Sequence, residues 1–188
     1  MKVVLLDRDG VINEDRSDYV KDWSEFQFIS GSLEALARLT RAGYRILVIT
    51  NQSVINRKLV SLAGLETIHR NMTQAVAAYG GKIEAIYYCP HVPEDRCGCR
   101  KPKAGLILQA QKDYAFDPAH VCMIGDSAKD IECAQRAGCG KTILVRTGYG
   151  RHTECACHLN GPKPDHVADD LKSAVEWLLQ AESSLRQP

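Results

Sequence analysis

At 188 residues the chain is long enough to bury a full core as one domain, spanning 1–188, without help from disulfides or a partner. Its 24 Lys and Arg stand against 23 Asp and Glu; the resulting charge of +1 argues against a nucleic-acid partner and for a small ligand. The apolar N-terminal run stops at Asp7, too short for a signal-peptide core or a membrane span, so a cytoplasmic protein with no membrane partner is expected.

In chain order, short β-branched runs at Val3–Leu6, Ile46–Ile49, Ile83–Tyr88, Val121–Ile124 and Thr142–Val145 read as strands buried on both faces. Between them, helices are expected over Ser32–Arg41, Leu65–Tyr79, Ala104–Tyr114 and Ser127–Ala137, with a final one over Lys172–Gln180. Stop residues at Gly43, Gly80, Asp117-Pro118 and Gly138 delimit the first four. This alternation predicts an α/β fold with a doubly wound parallel sheet. Ligands of such sheets bind beyond the carboxyl ends of the strands. The residues there are Asp7-Arg8-Asp9-Gly10, Thr50-Asn51-Gln52-Ser53, Cys89-Pro90-His91 and Gly125-Asp126-Ser127.

Asp7 and Asp9, one residue apart at a strand end, could share a face, where their like charges would raise one pKa unless a cation intervened, so a cation is expected. Asp126 and Asp130 are four apart at a helix start. Carboxylates without soft ligands favour Mg²⁺, which takes one or two of them together with phosphate oxygens. Thr50 offers a hydroxyl, the turn over Asn51, Gln52 and Ser53 offers N–H groups, and Lys101 offers a point charge. Together these are the parts of phosphoryl transfer.

Asp7-x-Asp9-Gly10, Thr50, Lys101 and Gly125-Asp126-x-x-x-Asp130 resemble, in that order, the four motifs of the haloacid dehalogenase superfamily of phosphatases. The resemblance implies a Rossmann-like fold with Asp7 as nucleophile and Asp9 as general acid, then base. It also implies Thr50 and Lys101 as stabilisers of the transferring group, and Asp7, Asp126 and the Asp9 carbonyl as Mg²⁺ ligands. Asp130 is expected to support Asp126 or Lys101.

Of the eight cysteines, Cys89, Cys97 and Cys99 join His91 in a set sufficient for a closed, structural zinc site. Such a site would pin the loop that carries Arg100 and Lys101. The run Cys-Pro-His, then Cys-x-Cys-Arg-Lys-Pro, is similar to the zinc loop of the D,D-heptose 1,7-bisphosphate phosphatases, a branch shared with histidinol-phosphate phosphatase domains. Leu6–Asn13, Thr50–Ser53 and Tyr149-Gly150 extend the likeness. It implies removal of the C7 phosphate from D-glycero-D-manno-heptose 1,7-bisphosphate on the route to nucleotide-activated heptose, by a monomer with a minimal cap. A histidinol-phosphate phosphatase and an inactive zinc-stabilised interaction domain are the alternatives.

The chain departs from the family at Val54–Lys58, where small residues and glycines are usual, so a differently shaped substrate loop is expected. Arg57, Arg100 and Lys103 are candidates for a second phosphate, and Asp15, Ser17 and Asp18 for sugar hydroxyls. Tyr19, Trp23, Phe26 and Phe28 are expected to pack under a loop. Cys155, Cys157 and His158 lack a fourth ligand and are not expected to hold a metal. Cys122 and Cys133 read as core residues.

Overall fold

A computed structural model describes residues 1–159 and 161–184, with backbone alone for 157–159 and 182–184. The strands are β1 (Lys2–Leu6), β2 (Tyr44–Asn51), β3 (Ile83–Cys89), β4 (Cys122–Gly125), β5 (Lys141–Val145) and β6 (His166–Ala168). They form one sheet in the order β3-β2-β1-β4-β5-β6, every pair parallel. The helices are α1 (Ser32–Arg41), α2 (Leu62–Ala78), α3 (Gly105–Tyr114), α4 (Ala128–Arg136), α5 (Gly150–Leu159) and α6 (Leu171–Ser184).

The alternation of β1 builds both layers of the core, because successive side chains leave a strand on opposite faces. Val4 and Leu6 pack with Leu36, Met72 and Leu178 from α1, α2 and α6, while Val3 and Leu5 pack with Ile107 and Ala134 from α3 and α4. Cys122 and Cys133 are buried, as expected of small core residues. The chain runs outward from β1 in one direction through β2 and β3 and in the other through β4, β5 and β6. The strand order therefore reverses between β1 and β4, where such sheets open a crevice.

Two elements lie where no regular structure was expected. β6 is only three residues long and follows the Gly161–Pro164 segment, so it has too few positions to show a period. α5 begins at Gly150, a poor helix former, and carries Cys155 exposed on its surface. The side chains of Cys157 and His158 lie outside the described residues. α2 starts three residues earlier than Leu65, because the Ser61 side chain accepts from the Gly64 N–H and caps it.

The long connection from β1 to α1 is fastened by its aromatics. Trp23 stacks on Phe26 at 4.8 Å, and Phe28 meets Phe26 edge-on at 5.0 Å. Tyr19 instead packs against Val54, Val60 and Leu65, which joins this connection to the loop after β2. That second loop reaches the left-handed region without glycine, at Lys58 with φ 57°, and it buries Val54 almost completely.

Candidate active site

The loops after β1, β2 and β4 and the loop leading into α3 surround a cleft of about 170 Å³. At its floor Lys101 is 3% exposed, with its ammonium 2.8 Å from Asp7 Oδ1, 2.6 Å from Asp130 and 2.8 Å from the Ile49 carbonyl. Burial disfavours its charge, but Asp130 and Asp7 outweigh that and hold it protonated beyond the usual lysine range. Asp130, wholly buried, also accepts from the Ser127 N–H and hydroxyl at 3.0 and 2.6 Å. It thus caps α4 and supports Lys101, the second of which matches the expectation for it.

Asp7 follows the last residue of β1, and its Oδ1 accepts from the Arg8 N–H as well as from Lys101. Burial, opposed by Lys101 and assisted by the charge of Asp130, pushes Asp7 up to about 7. Asp126, at the end of β4, is pushed up to about 8 by burial and by Asp130 and Asp7. Its Oδ2 accepts from the Tyr149 N–H at 2.8 Å. The same oxygen lies against Gly10 and Gly148, where an added Cβ would come within 2.1 Å of it; both glycines have positive φ. Thr147 closes this contact by donating to the Gly10 carbonyl at 2.6 Å. The glycine in the first motif and the Gly148-Tyr149 stretch thus serve one carboxylate.

Metal-ligand atoms of Asp7, Asp126 and Asp130 all lie within 4.8 Å of one another. Asp130 is committed to Lys101 and Ser127, whereas Asp7 and Asp126 each keep one oxygen without a protein hydrogen bond among the described residues. Two uncommitted carboxylate oxygens beside a cluster of like charge suit a hard divalent cation.

Asp9 faces a different set of partners. Arg8 reaches both its oxygens at 2.7 and 2.9 Å, Asn13 donates at 2.9 Å and Gln52 at 2.8 Å. Burial pushes the carboxyl up, but the Arg8 charge and these hydrogen bonds win and hold it below the usual range. Gln52 also donates to the Thr50 hydroxyl at 2.9 Å, tying the second motif to the first. Asn51 exchanges two hydrogen bonds with the Lys101 backbone, at 3.2 and 3.1 Å, so its amide positions the lysine loop.

Other substrate residues expected from the sequence divide by position. Asp15 and Arg100 line the cleft, and Arg100 also donates to the His91 carbonyl at 3.0 Å. Asp18 turns outward to Arg16 and Lys21 instead, at 3.1 and 2.5 Å. Arg57 is exposed and Ser53 buried, and neither lines the cleft. Lys103 is occupied by the carbonyls of Arg96 and Cys97 at 2.9 and 2.6 Å. Lys129 and Tyr19, which the sequence did not single out as substrate contacts, do line the cleft. Their signal was weak: a lysine near a helix start, and a tyrosine among loop aromatics.

Beside the cleft, Cys89, His91, Cys97 and Cys99 converge. Their sulfur and Nδ1 atoms are separated by 3.2 to 3.6 Å in the five closest pairs. Tetrahedral zinc with bonds of about 2.3 Å needs ligand separations of roughly 3.8 Å, so a small expansion would admit the ion. The loop holding them has only a 3₁₀ turn, Pro93–Asp95, of its own.

A family described as Hydrolase_like, HAD-hydrolase-like, matches residues 98–174. The D-glycero-beta-D-manno-heptose-1,7-bisphosphate 7-phosphatase of Bordetella bronchiseptica is 43% identical over 180 residues, covering 96% of this chain and 99% of the relative. Its counterpart in Pseudomonas aeruginosa is also 43% identical, over 95% and 98% of the two chains. A crystal structure of the B. bronchiseptica D,D-heptose 1,7-bisphosphate phosphatase, complexed with magnesium and phosphate, superposes with a TM-score of 0.91 at 42% identity over 96% of this chain and 99% of that one. On this likeness of sequence and structure along nearly its whole length, the chain belongs to the D-glycero-β-D-manno-heptose-1,7-bisphosphate 7-phosphatase family of HAD-like hydrolases.

Proposed function

We propose that this protein hydrolyses the C7 phosphate of D-glycero-β-D-manno-heptose 1,7-bisphosphate through an aspartyl-phosphate at Asp7. The observation that carries the reading is the buried Asp7–Lys101–Asp130 chain beside Asp126 at the strand-order reversal, in a protein whose 43%-identical relatives are named for that reaction. The β anomer follows from those names.

In the first half-reaction a carboxylate oxygen of Asp7 attacks phosphorus and the bond to the C7 oxygen breaks. The departing electron pair stays on that oxygen, which takes a proton from Asp9; Arg8 and the hydrogen bonds favour the ionised carboxyl in the resting site, so Asp9 takes up that proton as the phosphate dianion binds beside it. In the second half Asp9 removes a proton from water, the water oxygen attacks phosphorus, and the bond to Asp7 breaks to release phosphate. Lys101, already charged and fixed by Asp130, offsets negative charge on the phosphoryl oxygens together with the Thr50 hydroxyl. Its contacts to Asp7, Asp130 and the Ile49 carbonyl hold the ammonium in place, so that its charge acts on the phosphoryl group through space.

The uncommitted oxygens of Asp7 and Asp126, with the Asp9 carbonyl, would hold Mg²⁺, which supplies further neutralisation of phosphoryl charge. Cys89, His91, Cys97 and Cys99 would hold Zn²⁺ as a structural ion. Arg100 and Lys129, two cations on the cleft wall, suit the second phosphate, while Asp15 suits sugar hydroxyls. A cationic wall disfavours histidinol phosphate, whose amine would be repelled.

We further read residues 1–188 as one catalytic domain, acting as a cytoplasmic monomer in nucleotide-activated heptose synthesis. No helix among the described residues is long and apolar enough to cross a membrane. Phosphate release from both anomers of the heptose bisphosphate, histidinol phosphate and an aryl phosphate, with and without Mg²⁺, tests the reading. Magnesium-dependent preference for the β anomer is expected, and activity confined to histidinol phosphate would overturn the substrate.

A further inference from the structure

Arg8 has no role in the steps above, yet it is 1% exposed, and a guanidinium cannot shed its charge on burial. Its charge must therefore be matched in place. Nη2 reaches both oxygens of Asp9 at 2.7 and 2.9 Å and Nε reaches Oδ1 at 3.1 Å, a forked contact. Neighbouring residues on an extended chain point to opposite faces, so this pairing depends on the turn that follows. There the N–H groups of Ile12 and Asn13 return to the Arg8 carbonyl at 2.8 and 3.2 Å, with Gly10 at φ 78°.

The remaining arm of the fork is also held. Arg8 Nη1 lies 3.2 Å from His69 Nε2, and a guanidinium only donates, so the imidazole accepts. Burial, followed by the Arg8 charge, pushes His69 down to about 3, consistent with a neutral ring that has a free lone pair. His69 comes from α2, and its ring stands edge-on to Tyr88 at 5.8 Å. Asp9, Arg8 and His69 thus form a line running from the cleft to a helix, with Arg8 and His69 buried and Asp9 partly exposed to the cleft.

We infer that Arg8 is a positioning residue: seated on His69, it fixes the direction in which Asp9 presents its carboxyl group and receives the carboxylate left when the proton has passed to the leaving oxygen. The inference rests on the proposed role of Asp9. It predicts that disturbing Arg8 or His69 impairs proton donation and leaves the attack of Asp7 intact.

Leaving-group dependence separates those steps. The constant kcat/KM covers events up to departure of the leaving group, and a nitrophenolate departs without a proton whereas a sugar alkoxide does not. The experiment compares kcat/KM for the heptose bisphosphate and 4-nitrophenyl phosphate in the full chain with Mg²⁺, using Arg8→Lys, His69→Leu and His69→Gln, with Asp9→Asn as reference. Arg8→Lys is expected to lose about 100-fold on the sugar and less than about 3-fold on the aryl ester, within the range of general acid catalysis. His69→Leu, which leaves the fork on Asp9 in place, should show the same bias at about 10-fold, and His69→Gln, which keeps an acceptor, should stay within about 2-fold of the parent. Equal losses on both substrates, or an unchanged sugar rate in Arg8→Lys and His69→Leu, would overturn the inference. If Asp9→Asn itself lost both substrates equally, the assignment of Asp9 as acid would fail instead.

Discussion

The cleft and the neighbouring thiol loop both gather metal-capable side chains, but they are built differently. The carboxylates are wired into the fold by other partners: Asp7 by Lys101, Asp126 by the Tyr149 N–H and two glycines, and Asp130 by Ser127. Asp7 and Asp126 stand at strand ends on a packed sheet, and Asp130 in the first turn of α4. The thiols and imidazole mainly hold one another, and all but Cys89, the last residue of β3, sit on a loop with a single short turn. An ion at the first site would therefore add chemistry to a standing scaffold, whereas an ion at the second would hold together the loop that leads into Arg100 and Lys101.

Four changes would break or sharpen that contrast. The largest is Asp7→Asn, which should reduce turnover by at least about 10³-fold while circular dichroism and thermal unfolding stay near those of the parent. Next, Cys97→Ser should cost about 10- to 100-fold in activity through loss of bound zinc, and protease should cut the 90–104 loop. A variant with zinc gone and activity kept would show that the loop stands without its ion.

Asp130→Ala would leave the buried Lys101 ammonium with half of its matching charge. Breaking such a pair costs about 3–5 kcal/mol, which chemical denaturation would measure.

The fourth change is in pH. Asp7 and Asp126 are raised from 3.8 to about 7 and about 8, so the native state holds their protons more tightly than the unfolded chain does. Their contribution to stability without added metal is full below about pH 4 and is lost as pH rises toward 8. Mg²⁺ competes with those protons, so the rise in Tm that it produces should be larger at pH 8 than at pH 6; an equal rise at both would place the ion elsewhere.

Legibility in the sequence follows the same division. Asp7, Thr50 and Asp126 could be read because a strand's end and the ligand crevice coincide in a parallel sheet, so position along the chain implied position in space. The thiol loop could be read because its donor types are scarce and close in sequence. Loop direction could not be read: Asp15 and Asp18 share one loop, yet one lines the cleft and the other pairs with Arg16 and Lys21. Arg8 escaped notice for a different reason, since arginine is ordinarily exposed and only the fold reveals one this deeply buried. β6 was too short for its pattern to register.

The most direct test of the account is to mix the protein with the β heptose bisphosphate carrying radiolabelled phosphate at C7, quench in acid within milliseconds, and map the labelled peptide. The account predicts transient label on Asp7, with the C1 phosphate retained in the product. Release of labelled phosphate with no label ever appearing on Asp7 would contradict it.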